Sequence, residues 1–181
     1  LTECLVNYGL HSSRLKTGTP PRVLKSSIDW GKCRLSAGDK EKEPFSIFRS
    51  SVDNNVNIDT FSVDTSRNTH DIINENINDS AMYSGKVTAA GPRYCPSIED
   101  KIVRFKDRSS HSLFLEPEWL GSDQVYVAGF STSLPKETQV AALRSIKALE
   151  NVEFIRPGYA IEYDYIPTYQ LKSTLESKSI K

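Results

Sequence analysis

The segment PKETQVAALRSIKAL, Pro135–Leu149, constrains the fold most strongly. Pro135 pre-sets a backbone angle that suits a helix start, and Glu137 puts negative charge in the first turn. Val140, Leu143, Ile146 and Leu149 then form one apolar stripe. A helix with a single stripe must bury it, and the neighbouring segments supply a sheet to receive it. HSLFLEP and QVYVAGF read as two strands joined by a loop through Trp119 and Gly121, and Val152–Ile166 as two more around the Pro157-Gly158 turn.

Upstream, residues 1–8 read as the end of a helix stopped by Gly9. SRLKTGTPPRV, Ser13–Val23, is a stiff extended or turned segment, and residues 36–44 and 49–55 read as loops. VNIDTFSVD, Val56–Asp64, has the alternation of a half-buried strand. NTHDIINENI, Asn68–Ile77, has Ile72, Ile73 and Ile77 at helical spacing, with Asn68 or Thr69 as N-cap. SIEDKIVRF, Ser97–Phe105, carries a capping-box pattern, Ser97 with Asp100 three residues on, and places Ile98, Ile102 and Phe105 on one face. Strands and helices mix without a regular βαβ repeat. The expected fold is a single α+β unit over residues 1–181, a mixed or antiparallel sheet with packed helices.

Charge narrows the partners. Lys plus Arg is 23 and Asp plus Glu is 23, so no global field draws the chain to nucleic acid or to a membrane, and a polyanion would need a local patch. No apolar run is long enough for a membrane span. Three cysteines without CxxC spacing, and three histidines far apart, give neither a disulfide framework nor a zinc site, and point to a reducing compartment. A first residue of leucine and a lone methionine at Met82 read as a fragment or a processed chain.

Such a patch runs from Gly91 to Arg108, with five basic and three acidic residues. Within GPRYCPSIEDK, Cys95 stands two residues after Arg93 and two before the Ser97 cap, a setting that favours a thiolate. The alternative is a small buried filler. Gly91, Arg93, Ser97, Lys101, Arg104 and Phe105 form a candidate anion site, with Lys101, Arg104 and Arg108 on one face if the helix runs that far. The alternative is a solvated face. RLKTGTPPR, with Lys16, Thr17, Gly18 and Thr19, has neither P-loop nor Rossmann order, and reads either as a rigid basic loop near a phosphate or an electron-rich ring or as a structural turn. Glu116 with Glu118, and Glu162 with Asp164, are carboxylate pairs that read as strand decoration sooner than as acid–base groups.

SRLKTGTPPR, MYSG, GPRYCPSIEDK, FLEPE, STSLP, RPGYAIEYD and LKSTLESK resemble, in order and nearly in spacing, the MnmG/GidA family of FAD-dependent tRNA-modifying enzymes. The resemblance implies a homodimer that works with an MnmE-type GTPase. It adds an aminomethyl-type group to carbon 5 of the wobble uridine, with methylenetetrahydrofolate as one-carbon source and NADH as reductant. It further implies that this chain is the inserted middle portion of an FAD-binding Rossmann-type protein. Cys95 would then be the nucleophile that adds to carbon 6 of uracil, or a general acid. The stretch from Gly91 to Phe105 would serve NADH, and Lys16–Thr19 would lie near the flavin. Thr60 and Asp64 depart from the family's usual Cys and His, Trp119 stands for a glycine, and LKSTLE for LKPTLE. These departures and an asparagine bias suit a mitochondrial member; a bacterial one would be cytoplasmic. The alternative is a non-catalytic nucleotide-, tRNA- or dimer-binding module of the same protein.

Overall fold

The computed structural model describes residues 1–39, 43–48, 58–85, 89, 91 and 96–180. In chain order the elements are α1 (Thr2–Asn7), β1 (Ser13–Gly18), β2 (Arg22–Leu24), β3 (Arg34–Ser36), β4 (Thr60–Asp64), α2 (Arg67–Glu75), α3 (Ile98–Arg104), β5 (Ser112–Pro117), β6 (Gln124–Ala128), α4 (Lys136–Arg144), β7 (Phe154–Arg156) and β8 (Ala160–Tyr165), with short 3-10 turns between some of them. The α+β expectation holds. Six strands form one antiparallel sheet in the order β3-β4-β5-β6-β2-β7, and β1 pairs with β8 in a separate two-stranded ribbon. No described helix is long and apolar enough to cross a membrane.

The period of two decides which face of the large sheet is buried. Val63 lies opposite Leu113, Leu115 opposite Val127, and Val23 opposite Val125. These side chains are almost wholly buried and share one core with Ile73 of α2, Ile98 and Ile102 of α3, and Ala142 and Leu143 of α4. The other face carries Arg22, Phe114, Glu116 and Tyr126, with the Arg22 guanidinium 4.8 Å from the Tyr126 ring centre. The helices therefore cover one face and solvent meets the other.

Several boundaries differ from the sequence reading. The strand expected from Val56 begins at Thr60, and residues 56–57 lie outside the described ones. Helix α2 starts one residue early because Ser66, not Asn68 or Thr69, is its cap. The Ser66 hydroxyl accepts from the Thr69 backbone N–H, and Thr69 returns the bond to the Ser66 N–H. Helix α4 ends at Arg144, not Leu149: the Ser145 hydroxyl donates to the Ala142 carbonyl at 2.6 Å, and a 3-10 turn carries Ala148 and Leu149 into the core. Its buried side is Thr138, Gln139, Ala142 and Leu143, with Val140 only half-buried. Phe105 follows the last turn of α3 and is 48% exposed, so it leaves the face of Ile98 and Ile102, and Arg108 is not on the helix. Strand β3 was not expected; it is a three-residue edge strand inside charged surroundings.

Candidate functional site

Three of the quoted motifs, GPRYCPSIEDK, STSLP and, through Met82, MYSG, are joined around one buried carboxylate, Glu99, in the first turn of α3. Its Oε1 accepts from the Ser80 hydroxyl at 3.0 Å, the Thr132 hydroxyl at 2.9 Å and the Ser133 N–H at 3.1 Å. The Ser80 hydroxyl hydrogen goes to Glu99, so the 2.7 Å contact with Ser133 is a bond donated by the Ser133 hydroxyl. Ser133 Oγ in turn accepts from the Met82 N–H. Ile98 N–H donates to Ser131 O at 2.7 Å, so the start of α3 and the STSLP segment are tied twice. Glu99 Oε2 is buried without a hydrogen-bond partner among the described residues.

The same STSLP segment reaches the TGTP and RPGY motifs. Thr132 N–H donates to Thr19 O, and Thr19 N–H to Tyr159 O. A Cβ on Gly158 would run into Thr19 O, and one on Gly18 would lie 3.2 Å from Thr132 N and 3.3 Å from Met82 Cε. At Gly158 the Thr19 backbone passes too closely for a side chain, while at Gly18 the neighbours would have to give by a few tenths of an ångström. The Thr19 hydroxyl accepts from Tyr159 N–H, and Lys16 Nζ lies 3.5 Å from Met82 O. The structure thus joins Lys16–Thr19 to Ser97–Lys101 through Thr132, Ser133 and Glu99.

Cys95 and Arg93 lie outside the described residues. Gly91 is exposed, with open space where a Cβ would stand. Ser97 caps its own helix: its hydroxyl accepts from the Asp100 N–H at 3.1 Å, and its N–H donates to Asp100 Oδ2. The Tyr83 hydroxyl donates to Asp100 Oδ1, and partial burial with that bond pushes the phenol up to about 12, so it acts as a donor at neutral pH. Arg104 is exposed. Lys101 and Phe105, by contrast, line a hollow of about 340 Å³ with Arg108, Ser110, His111 and Ser112. Lys101 Nζ donates to Gly129 O at 3.0 Å, and Arg108 stacks 5.2 Å from the Phe105 ring centre.

Behind this hollow stands a histidine pair that sequence reasoning passed over, because His70 and His111 are 41 residues apart. Their ring centres are 5.3 Å apart. Thr65 links them: its hydroxyl oxygen accepts from the His111 N–H at 2.8 Å and lies 2.7 Å from His70 Nε2. Burial holds both imidazoles below their usual range; Arg67 also lowers His70, and His70, Lys101 and Arg108 lower His111. Both are neutral at pH 7. A larger hollow of about 410 Å³, lined by Trp30, Phe61, Pro117 and Leu120, holds none of the expected site residues.

Three of the four carboxylates in the two pairs are held by arginines. Arg14 on β1 faces both Asp164, at 3.0 Å, and Glu162, at 3.6 Å, while Arg22 holds Glu118 at 3.1 Å. Among the described residues no group of three or more His, Cys, Asp or Glu side chains could hold a metal.

The profile of the family described as glucose inhibited division protein A matches residues 1–181. A curated relative from Chlorobium phaeobacteroides, named tRNA uridine 5-carboxymethylaminomethyl modification enzyme MnmG, is 48% identical over an alignment that covers 100% of this chain and 29% of the relative. The protein of that name from Streptococcus agalactiae is 50% identical, over 99% of this chain and 29% of its own. The solved structure of Aquifex aeolicus GidA in its form I crystal superposes with a TM-score of 0.88 at 42% identity, covering 99% of this chain and 31% of that one. The chain spans less than a third of the length of these relatives.

Proposed function

The chain belongs to the glucose inhibited division protein A family, and from that premise we propose that it serves a tRNA uridine 5-carboxymethylaminomethyl modification enzyme. The observation that carries this reading is the convergence at Glu99. Segments separated by tens of residues, around Thr19, Ser80–Met82, Ser97–Glu99 and Thr132–Ser133, are fastened together by buried hydrogen bonds. A merely packed core would not need a buried carboxylate there; a site that must hold several loops in register does.

In this reading tRNA is the substrate, and the whole protein works as a homodimer with a GTPase partner. FAD supplies the redox chemistry when bound. The flavin would lie against the half-buried side chains of Lys16 and Thr17, while Gly18 and Thr19 hold the segment in place. NADH would be recognised by Arg93, Lys101 and Arg104. Lys101 and its neighbour Arg108 fit the phosphates of such a nucleotide in charge, and Phe105 offers a ring face. Cys95 is the nucleophile of the proposal: its thiolate adds to carbon 6 of the uracil, breaking the C5=C6 π bond and leaving carbon 5 able to attack a one-carbon unit, and loss of the carbon-5 proton then expels the thiolate and restores the double bond. The role of Glu99 is positional.

The test is made on the full-length protein, with wobble uridine modification measured by mass spectrometry of tRNA. Cys95→Ser should abolish modification, because a serine hydroxyl supplies no anion at neutral pH, while FAD and tRNA binding stay near wild type. Normal modification in the Cys95→Ser strain would sink the assignment.

A further inference from the structure

We propose that the hollow beside the end of α3 binds a phosphate ester, held by Arg108, Lys101 and the Nε2 of His111. The inference rests on the proposed function for the two sources such a group could have, a tRNA backbone or a nicotinamide dinucleotide. It adds His111, which that reading does not use, to the contact made by Lys101 and Arg108.

Three observations carry it. The first is charge. Lys101 and Arg108 line the hollow, and among the described residues no carboxylate does. The Asp64 carboxylate, which takes the Ser112 hydroxyl hydrogen at 2.8 Å, is itself ion-paired with Arg34. The second is the orphaned imidazole. His111 is only 7% exposed and lines the hollow, yet its Nε2 is buried with no hydrogen-bond partner. Buried polar atoms in folded proteins are paired with few exceptions, and each exception asks for a reason. Lys101 has a structural reason to be where it is, its bond to Gly129 O, and Arg108 has its stacking on Phe105. Nothing within the described residues gives one to Nε2. An incoming phosphate oxygen would.

The third observation is rigidity. Thr65 fixes the backbone of His111 by accepting its N–H, and the Phe105 ring stands edge-on to the imidazole at 6.5 Å between centres. Arg108 stacks on the same ring, 5.2 Å from its centre. The donors are placed before any ligand arrives, which lowers the ordering cost of binding. A volume of about 340 Å³ admits a phosphate group with part of its ester.

The experiment uses the full-length enzyme and the variants Arg108→Ala, His111→Leu and His111→Gln. Two probes are measured: NADH, by the concentration dependence of flavin reduction, and unmodified tRNA, by its Kd across a salt series. Loss of one charge-assisted hydrogen bond should weaken one of the two by about ten-fold in Arg108→Ala and in His111→Leu. His111→Gln, which restores a side-chain N–H near the position of Nε2, should recover to within about three-fold. A change confined to NADH identifies a nucleotide phosphate. A change confined to tRNA, with a salt slope shallower by about one, identifies the RNA backbone. Arg108→Ala with both probes unchanged overturns the proposal, and because Arg108 is exposed that variant should fold. His111→Gln as weak as His111→Leu removes Nε2 from it. A wild-type enzyme that neither modifies tRNA nor oxidises NADH would sink the proposed function itself; the variants, read against a working wild type, test the hollow alone.

Discussion

A fully buried glutamate needs donors, and Glu99 takes three on one oxygen. Glu99→Leu would strand the Ser133 N–H and the Thr132 hydroxyl in the interior, at a cost of about 2 kcal/mol or more. Glu99→Gln keeps the accepting oxygen and should cost less. Urea denaturation of the two variants separates them; a Glu99→Leu protein within about 0.5 kcal/mol of wild type would show that the network contributes nothing. Local pattern made the capping box of Ser97 and Asp100 legible, since both partners lie within one turn. The role of Glu99 was not legible, because its donors arrive from residues 80 and 132–133. The histidine pair makes a second prediction. Burial lowers both folded-state pKa values, so the unfolded chain binds protons more readily than the fold. The stabilisation is complete above the unfolded value of about 6.5 and is lost as pH falls from there through the lowered folded values. The urea midpoint should drop between pH 7.5 and 5.5, and a His70→Gln/His111→Gln double variant should flatten that drop. Equal slopes in the two proteins would exclude the pair as the cause.

At the scale of elements, α4 shows how much a stripe of apolar residues says and where it stops. Its existence and its buried Leu143 follow from periodicity, but its end does not. Ser145 turns back to Ala142 O, and the Arg144 guanidinium takes the Val152 carbonyl at 3.1–3.2 Å, so the chain leaves helical geometry while Ile146 and Leu149 stay buried. A single stripe looked continuous because the following 3-10 turn keeps residues three apart on one side. Leu143→Ala should cost about 2–5 kcal/mol, and a loss under about 0.5 kcal/mol would show that the helix is not core. Gln139 adds a contact that no stripe predicts. Its amide donates to Leu134 O and Gly158 O, and its oxygen accepts from Gly158 N–H at 2.7 Å, which fixes the Pro-Gly turn between β7 and β8. The turn was readable from Pro157-Gly158; the glutamine that holds it was not. Gly158→Ala would push a methyl into Thr19 O and should destabilise by about 1–3 kcal/mol.

For the whole molecule, the sequence supplied nearly every strand and helix, but not the division of the strands between two sheets. Strands β7 and β8 follow one turn apart, yet β7 joins the large sheet beside β2 while β8 pairs with β1 from the other end of the described chain. Alternation within a strand reports which face is buried and says nothing of the neighbour. The two sheets should differ in stability. Leu113, Leu115, Val125 and Val127 of the large sheet are fully buried, whereas β8 is exposed along most of its length and Ile161, Tyr163 and Tyr165 stand at 36–39% exposure. A two-stranded ribbon is marginal by itself, and here its base is held by Thr19, Thr132 and Tyr159. In the chain of residues 1–181, amide hydrogen exchange should fall into two tiers. The hydrogen-bonded amides of β5 and β6 should open only with global unfolding, and those of β1 and β8 should exchange on the order of a hundred-fold faster, through local opening. Equal protection in both sheets would mean that the ribbon and the large sheet unfold as one unit, and that the Thr19–Thr132 junction couples them more tightly than the exposure of β8 allows.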